Sequence, residues 1–325
     1  MSTLSTSTYL SQEAEFDAQY AADDVPAGAR PRLSVWSAFT LGMRLKTGGD
    51  GSASATVASL LKLAHQPAKL SRALTPLDFV RWREFDFALR AIKRHMRSPR
   101  YVLDISSPKL LPLTVASELR GCKVLSTDIL EREVNWVRMA GDRLGLGNLT
   151  TRTLDAREMP FRSNLFDLIT SVSVFEHIAP ERGGEIPAIR EVARVLAPGG
   201  VAILTVPFSR QYFADYQCGT VYERSSMDQE PIFFQRFYDL DMLQQNIIAA
   251  SGLDLLSLRF IDERHFSKDP HRRVAHFVNG SQRQTFWFGP MYPLLSHLFL
   301  SQAKGLEGCS KPYLACIVLR KGRAN

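Results

Sequence analysis

The stretch RYVLDISSPKLL, from Arg100 to Leu111, joins a short apolar run to Ser106, Ser107, Pro108 and Lys109. A strand, a tight turn and a helix open the nucleotide-binding units of α/β domains, and the turn is where the ligand is met. Such a turn is ordinarily rich in glycine, which takes positive φ and lets backbone approach a ligand closely. This one has none. An acid closing the next strand can accept hydrogen bonds from ribose hydroxyls. Asp128, in STDIL, stands about 24 residues beyond Asp104, a spacing that suits the task. Asp128 also precedes the run EREV, so capping the following helix is its structural alternative, and the two roles can coexist.

These residues need a scaffold that gathers strand ends. After Pro99 the chain alternates strand and helix. YVLDI, CKVLSTDI, LTTRTLDA, FDLITSVSVFEHI and VAILTVPF read as successive strands, with LDLLSLRFIDE and YLACIVLRK as the last two. EREVNWVRMAGDRLGL is a helix stopped by Gly145, and EIPAIREVARVL one halted by APGG. DLDMLQQNIIAASG is a helix with Asp239 as its N-cap and Gly252 past its end. Pro112 in a helix interior would cost about 3 kcal/mol, so the first crossover helix should begin near Leu111 with Pro112 in its first turn. The pattern predicts a doubly wound, Rossmann-like α/β sheet.

Around that sheet the chain divides by composition. Residues 1–32 read as a polar, disordered tail, 33–98 as a helical extension, and 99–325 as the α/β domain. The strongest helix of the extension is TPLDFVRWREFDFALRAIKRHM, with Thr75 as N-cap and Pro76 in its first turn. An insertion at about 209–238 interleaves aromatics with arginines and reads as a lid over a ligand site. The most apolar run, residues 286–302, is expected to be a buried helical hairpin between the last two strands, or a face for peripheral membrane contact.

FDLITSVSVFEHI and then REVARVLAPGGVAILTVPF resemble the class I S-adenosylmethionine-dependent methyltransferases, and LDAREMPFRSNLFDLI fits the same family. The resemblance extends over about Tyr101 to Arg320. RVLAPGG, Arg194 to Gly200, is a helix stop and tight turn into the fifth strand, so it marks the fold more than the chemistry. The family implies a seven-stranded sheet whose last strand is antiparallel, and S-adenosyl-L-methionine as cofactor. By position it implies that Asp104 orients the first turn and helps hold the methionine ammonium. Asp128, with Ile129 beside it, would take the ribose hydroxyls; Asp155, with Ala156, would meet adenine; Ser171 would begin the segment beneath the methionine part. In the glycine-free turn, the hydroxyls and N–H groups of Ser106 and Ser107 can hold the cofactor carboxylate, with Lys109 adding charge. A loop that has lost the cofactor is the competing outcome.

Methyl transfer asks a protein mainly for alignment and a dry site, because the sulfonium is already activated. A hydroxyl nucleophile also needs a base. His177, with an ordinary pKa near 6.5, follows the fourth strand at the rim where an acceptor should lie, and Glu176 stands beside it. Tyr212, Tyr222, Arg224 and Arg236 of the insertion are the candidate acceptor contacts, apolar walls with anion-recognising forks. The expected acceptor is a small or glycan-like molecule, methylated at oxygen.

Hydrophobic residues make up 45% and charged residues 22% of the 325, an ordinary globular balance. The net charge of +7 permits acidic partners, but no dense basic block or zinc-finger signature argues for nucleic acid. The four cysteines form no Cys-x-x-Cys pair, so a metal site is not expected and a cytoplasmic setting is. No apolar run is long enough to span a bilayer, which takes about 20 residues. A nicotinamide-dependent oxidoreductase would want a glycine fingerprint and a Tyr-x-x-x-Lys pair, and neither is found. A non-catalytic methyltransferase-like binding module is the other rival, and the missing glycines are its best argument.

Overall fold

The computed structural model describes residues 33–47, 58, 74–96, 98–225, 230–264 and 287–323. The expected tail, most of the helix expected over VASLLKLAHQPAKLSRAL, and residues 226–229 of the insertion lie outside the described residues.

One eight-stranded sheet organises the molecule. Its strands are β1 (Tyr101–Ile105), β2 (Lys123–Asp128), β3 (Leu149–Thr153), β4 (Phe166–Val172), β5 (Leu196–Pro207), β10 (Asp254–Glu263), β11 (Leu300–Ala303) and β12 (Pro312–Arg320). The order is β11-β10-β12-β5-β4-β1-β2-β3. Strands β1 to β5 run parallel, and β12 is antiparallel to both β5 and β10. β1, β2, β4 and β5 are covered on both faces, which is why they read as near-continuous apolar runs rather than alternating ones. The order reverses between β1 and β4, and ligands of such sheets bind beyond the carboxyl ends at that point.

All seven expected strands are present, and an eighth is added. Helix α7 (Tyr292–Phe299) runs straight into β11, which pairs antiparallel with the end of β10. Among the described residues of the expected helical hairpin, Trp287 and Phe288 are helical, a 3-10 turn spans Gly289–Met291, and α7 follows; the edge strand after it was not expected. Leu300 takes extended backbone just where Phe260–Glu263 offer pairing. The long helix of the extension also starts later than expected. α2 is Arg81–His95, because Asp78 Oδ1 accepts from the backbone N–H groups of Val80 and Arg81 at 3.0 Å each, at the turn that precedes it.

Helices cover both faces. α1 (Val35–Thr47), α2, α3 (Leu110–Glu118), α4 (Glu131–Arg143) and α7 lie on one side. α5 (Glu185–Val195), α6 (Leu240–Met242) and the π-helical turn that continues it over Leu243–Ala249 lie on the other. α2 buries Trp82, Phe85, Phe87, Leu89 and Ile92; each such side chain is worth about 1.5–3 kcal/mol relative to exposure, so the extension is part of the domain core. Near the start of β5, a Cβ on Gly200 would lie 2.7 Å from Ala197 O and 3.0 Å from Asp167 O, so only glycine fits there.

The described residues of the insertion after β5 form two small antiparallel strand pairs. β6 (Phe213–Gln217) pairs with β9 (Ile232–Phe237), and β7 (Thr220–Val221) with β8 (Arg224–Ser225). Phe213 stacks on Phe237 at 4.2 Å. Among the described residues, no helix is long and apolar enough to cross a membrane, and no group of His, Cys, Asp or Glu could hold a metal ion.

Candidate active site

A cleft of about 220 Å³ opens at the switch point. Every parallel strand end from β1 to β4 contributes. Ser106 and Lys109 follow β1; Asp128 to Leu130, Arg132 and Glu133 follow β2; Leu154 to Arg157 follow β3; and Ser173, Val174 and His177 to Ala179 follow β4. Tyr222 and Glu223 reach in from the insertion.

The first turn does without glycine by straining a serine. Ser106 has φ 51°, the left-handed region where glycine is normally needed, and its N–H is held by Thr127 O at 2.8 Å. Among the described residues, left-handed non-glycine backbone occurs at Ser106, Asn164, Ser173 and Tyr222; all but Asn164 line the cleft. Strain of this kind concentrates where a site needs a particular backbone path. Replacing Ser106 by glycine is expected to raise unfolding free energy by about 1 kcal/mol, the left-handed penalty less glycine's entropy. Equilibrium urea unfolding reads this directly; a loss of stability would mean that the hydroxyl matters more than the backbone.

Ser107 and Asp104 stand behind this turn and outside the cleft lining. The Ser107 hydroxyl accepts from Val172 N at 3.0 Å and also bonds Asp104. Asp104 Oδ2 accepts from Thr170 Oγ1 at 2.7 Å, while its buried Oδ1 has no partner. Burial pushes this carboxyl up to about 6, against the pull of Ser107, Thr170 and Lys109. Ser171 is likewise buried, with its hydroxyl spent on Ile105 O at 3.1 Å.

Asp128 closes β2 at the cleft. Its Oδ1 accepts from Leu130 N at 3.0 Å, and its Oδ2 from Lys109 Nζ at 2.7 Å. Each oxygen keeps one lone pair for a further donor. Lys109 also lies 3.5 Å from Glu133, so the expected anion-binding lysine is directed at two carboxylates instead. Asp155 sits two residues beyond β3, gripped by Arg157 through Nε at 3.0 Å and Nη2 at 2.6 Å. Burial alone would raise the Asp155 carboxyl, but the Arg157 fork holds it below its usual range. Ile129 and Ala156 give the cleft apolar surface beside these two acids.

His177 lies on the cleft wall but is not the base expected of it. Burial lowers the imidazole to about 4, so it is neutral at pH 7. Its Nδ1–H donates to Phe234 O at 2.8 Å, which leaves Nε2 as an acceptor, 3.7 Å from Glu176 Oε1. Glu176 is buried and does not line the cleft; burial pushes its carboxyl up to about 8, with Glu84 adding to the effect. It therefore carries its proton at neutral pH. Tyr222 lies edge-on to His177 at 5.0 Å, and burial raises its phenol to about 12.

Residues 103–204 match the family described as a methyltransferase domain. This segment is a methyltransferase domain. The sarcosine/dimethylglycine N-methyltransferase of Halorhodospira halochloris is 30% identical over 121 residues, which are 37% of this chain and 42% of that one. The chain thus matches less than half the length of this curated relative. Among solved structures, an S-adenosylmethionine-dependent methyltransferase from Methanosarcina mazei is 15% identical with a TM-score of 0.46, covering 72% of this chain and 97% of the other. Another from Clostridium acetobutylicum is 14% identical at a TM-score of 0.47, covering 81% and 98%.

The methyltransferase segment meets the insertion through buried ions. Arg236 was expected to contact the acceptor, but it is fully buried, paired with Glu185 at the start of α5. It also donates to the carbonyls of Ile178, Pro180 (2.7 Å) and Phe175 (3.5 Å). Gly184 allows this packing, since a Cβ there would strike Ala179 and Ile178 backbone within 2.5 Å. Tyr212 bonds Glu181 at 2.5 Å and lies outside the cleft lining, and Arg224 approaches His177 O at 3.4 Å with its buried Nε 3.7 Å from Glu223 Oε1. Arg157 and Glu133 line the cleft without having been expected there.

Proposed function

We propose that this chain is an S-adenosylmethionine-dependent methyltransferase acting on a small acceptor, with nitrogen favoured over the expected oxygen. The observation that carries the reading is one cleft joining Asp128, Asp155 and His177 at the switch point of a methyltransferase sheet. S-adenosylmethionine, when bound, supplies a methyl group already activated on a sulfonium. The residues suit it. Asp128 keeps acceptor capacity on both oxygens for the ribose diol, and Ile129, Leu154 and Ala156 offer apolar surface for the base. The buried Asp104 Oδ1, without a hydrogen-bond partner behind the turn, suits an ammonium held through Ser106 at the cleft. Asp155 meets adenine only in company with Arg157, a departure from a free carboxylate.

The acceptor end is neutral where proton chemistry would occur. An imidazole lowered to about 4 is a weak base for a hydroxyl but a good hydrogen-bond acceptor. An uncharged amine needs no base before attack. Its N–H could donate to His177 Nε2 and leave its lone pair free; a carbon–nitrogen bond would then replace the sulfonium carbon–sulfur bond, and the resulting ammonium would release its proton to solvent. The 30% identical relative, named as an N-methyltransferase, points the same way. Tyr222 and Glu223 of the insertion line this end, and a glycan-like acceptor is the less supported choice. The free cysteines accord with a cytoplasmic setting.

The test measures S-adenosylhomocysteine release from S-adenosylmethionine against a panel of primary and secondary amines and a matched panel of hydroxylated acceptors. Turnover with amines is expected, and with the acceptor saturating, kcat should carry no inflection near 6.5 that His177→Gln abolishes. Turnover confined to hydroxylated acceptors, with such an inflection, would overturn the nitrogen reading.

A further inference from the structure

Helix α2, outside the matched methyltransferase segment, drives a carboxylate into the floor of the site. Glu84 is fully buried. Its Oε1 accepts from Ser173 Oγ and from Thr205 Oγ1, both at 2.5 Å, and its Oε2 is paired with Arg81. Ser173 is further held through its N–H by Thr205 O at 3.0 Å and Thr205 Oγ1 at 3.1 Å. Ser173 is the first residue after β4, lines the cleft, and has φ 53°. A left-handed serine persists only where its surroundings over-determine it, and charge-assisted hydrogen bonds are the strongest such restraint here. The residues that follow are Val174 and the turn Phe175–His177, so the path of Ser173 sets where the cleft wall stands.

We propose that Glu84 is a positioning residue for this site: it locks Ser173 in its left-handed conformation and so fixes Val174 and His177 against the cleft. The proposal rests on cofactor binding in that cleft. The hydrogen bond to Ser173 ties Glu84 to the cleft lining. The bland alternative is that Glu84 only neutralises Arg81 inside the core.

Calorimetric titration with S-adenosylhomocysteine separates the two. Glu84→Gln is expected to weaken binding about tenfold, the value of one charge-assisted hydrogen bond. Ser173→Gly, which takes the same backbone without being held, is expected to stay within about threefold of wild type. In the double variant Glu84→Gln should then cost nothing further. A full tenfold loss in the double variant would overturn the proposal, since a role in the core alone does not depend on residue 173. Should Glu84→Gln fail to fold, Ser173→Ala leaves the Glu84–Arg81 pair intact and carries the same expected loss; unchanged binding there also overturns it. Backbone ¹³C shifts of Ser173 in the unliganded protein give an independent arm, with the left-handed pattern present in wild type and lost in Glu84→Gln. If wild type binds no S-adenosylhomocysteine, the cofactor reading fails while these shifts still decide the role of Glu84, and a pattern unchanged by Glu84→Gln rejects it.

Discussion

Arg236→Met is expected to cost about 3–5 kcal/mol of stability, because it leaves the buried Glu185 carboxylate without its cation. The cost is large for a second reason. Arg236 gathers the carbonyls of Phe175, Ile178 and Pro180, and those groups lose their donor inside the protein. Glu185 keeps only Asn246 Nδ2 at 2.8 Å. The double variant Arg236→Met/Glu185→Leu should recover a large part of the loss, since replacing both members of a buried pair by apolar groups is often neutral. Urea unfolding of the three proteins checks this; a single-variant loss under about 1 kcal/mol would show that the pair is dispensable. The loop so anchored carries His177, Ile178 and Ala179 of the cleft, so weakened ligand binding should accompany even partial loosening.

The second large effect is in the pH dependence of stability. Burial holds the Glu176 carboxyl at about 8, against 4.5 for an exposed glutamate. The folded chain therefore keeps a proton that the unfolded chain has released. This group's stabilisation is complete below 4.5 and is lost as pH rises through about 8. His177 acts oppositely: lowered by burial from 6.5 to about 4, it stabilises above 6.5 and loses that as pH falls through about 4. Asp104, raised by burial from 3.8 to about 6, has finished its own decline by then. Between 6.5 and 8 only Glu176 of these three is still changing. Stability should fall there by about 2 kcal/mol, one proton at about 1.4 kcal/mol per pH unit. Glu176→Gln should flatten that slope, and a slope equal to wild type would mean that Glu176 is ionised throughout.

Much of the scaffold was legible because its physics is local. Strand runs, the Gly145 and Gly252 stops, the Asp239 cap and the RVLAPGG turn each rest on neighbouring residues. β11 was not legible: Leu300–Ala303 is a short Leu-Ser-Gln-Ala run with no Gly or Pro to part it from the helix before it, and pairing with the edge of β10 makes it a strand. Strand-end reasoning singled out Asp128, Ile129, Asp155, Ala156, Ser106, Lys109 and His177, all of which line the one cleft, and Tyr222 joins them from the insertion. Burial could not be read the same way. Arg236 and Tyr222 look alike as insertion residues, yet one neutralises Glu185 in the core and the other lines the cleft. The His177 shift depends on rings and ions brought from α2 and β9. Glu84 had a faint signal, a carboxylate four residues before Ala88 on the buried face of α2, but nothing in the sequence ties it to Ser173.

The central claim is that this cleft holds S-adenosylmethionine through Asp128 despite a first turn without glycine. Calorimetric titration of wild type and Asp128→Ala with S-adenosylhomocysteine, and with NAD as control, tests it most directly. Wild type should bind S-adenosylhomocysteine, Asp128→Ala should bind it about 100-fold more weakly through loss of the charge-assisted hydrogen bonds to the ribose diol, and neither should bind NAD. No binding by wild type, or equal binding by Asp128→Ala, would contradict the account.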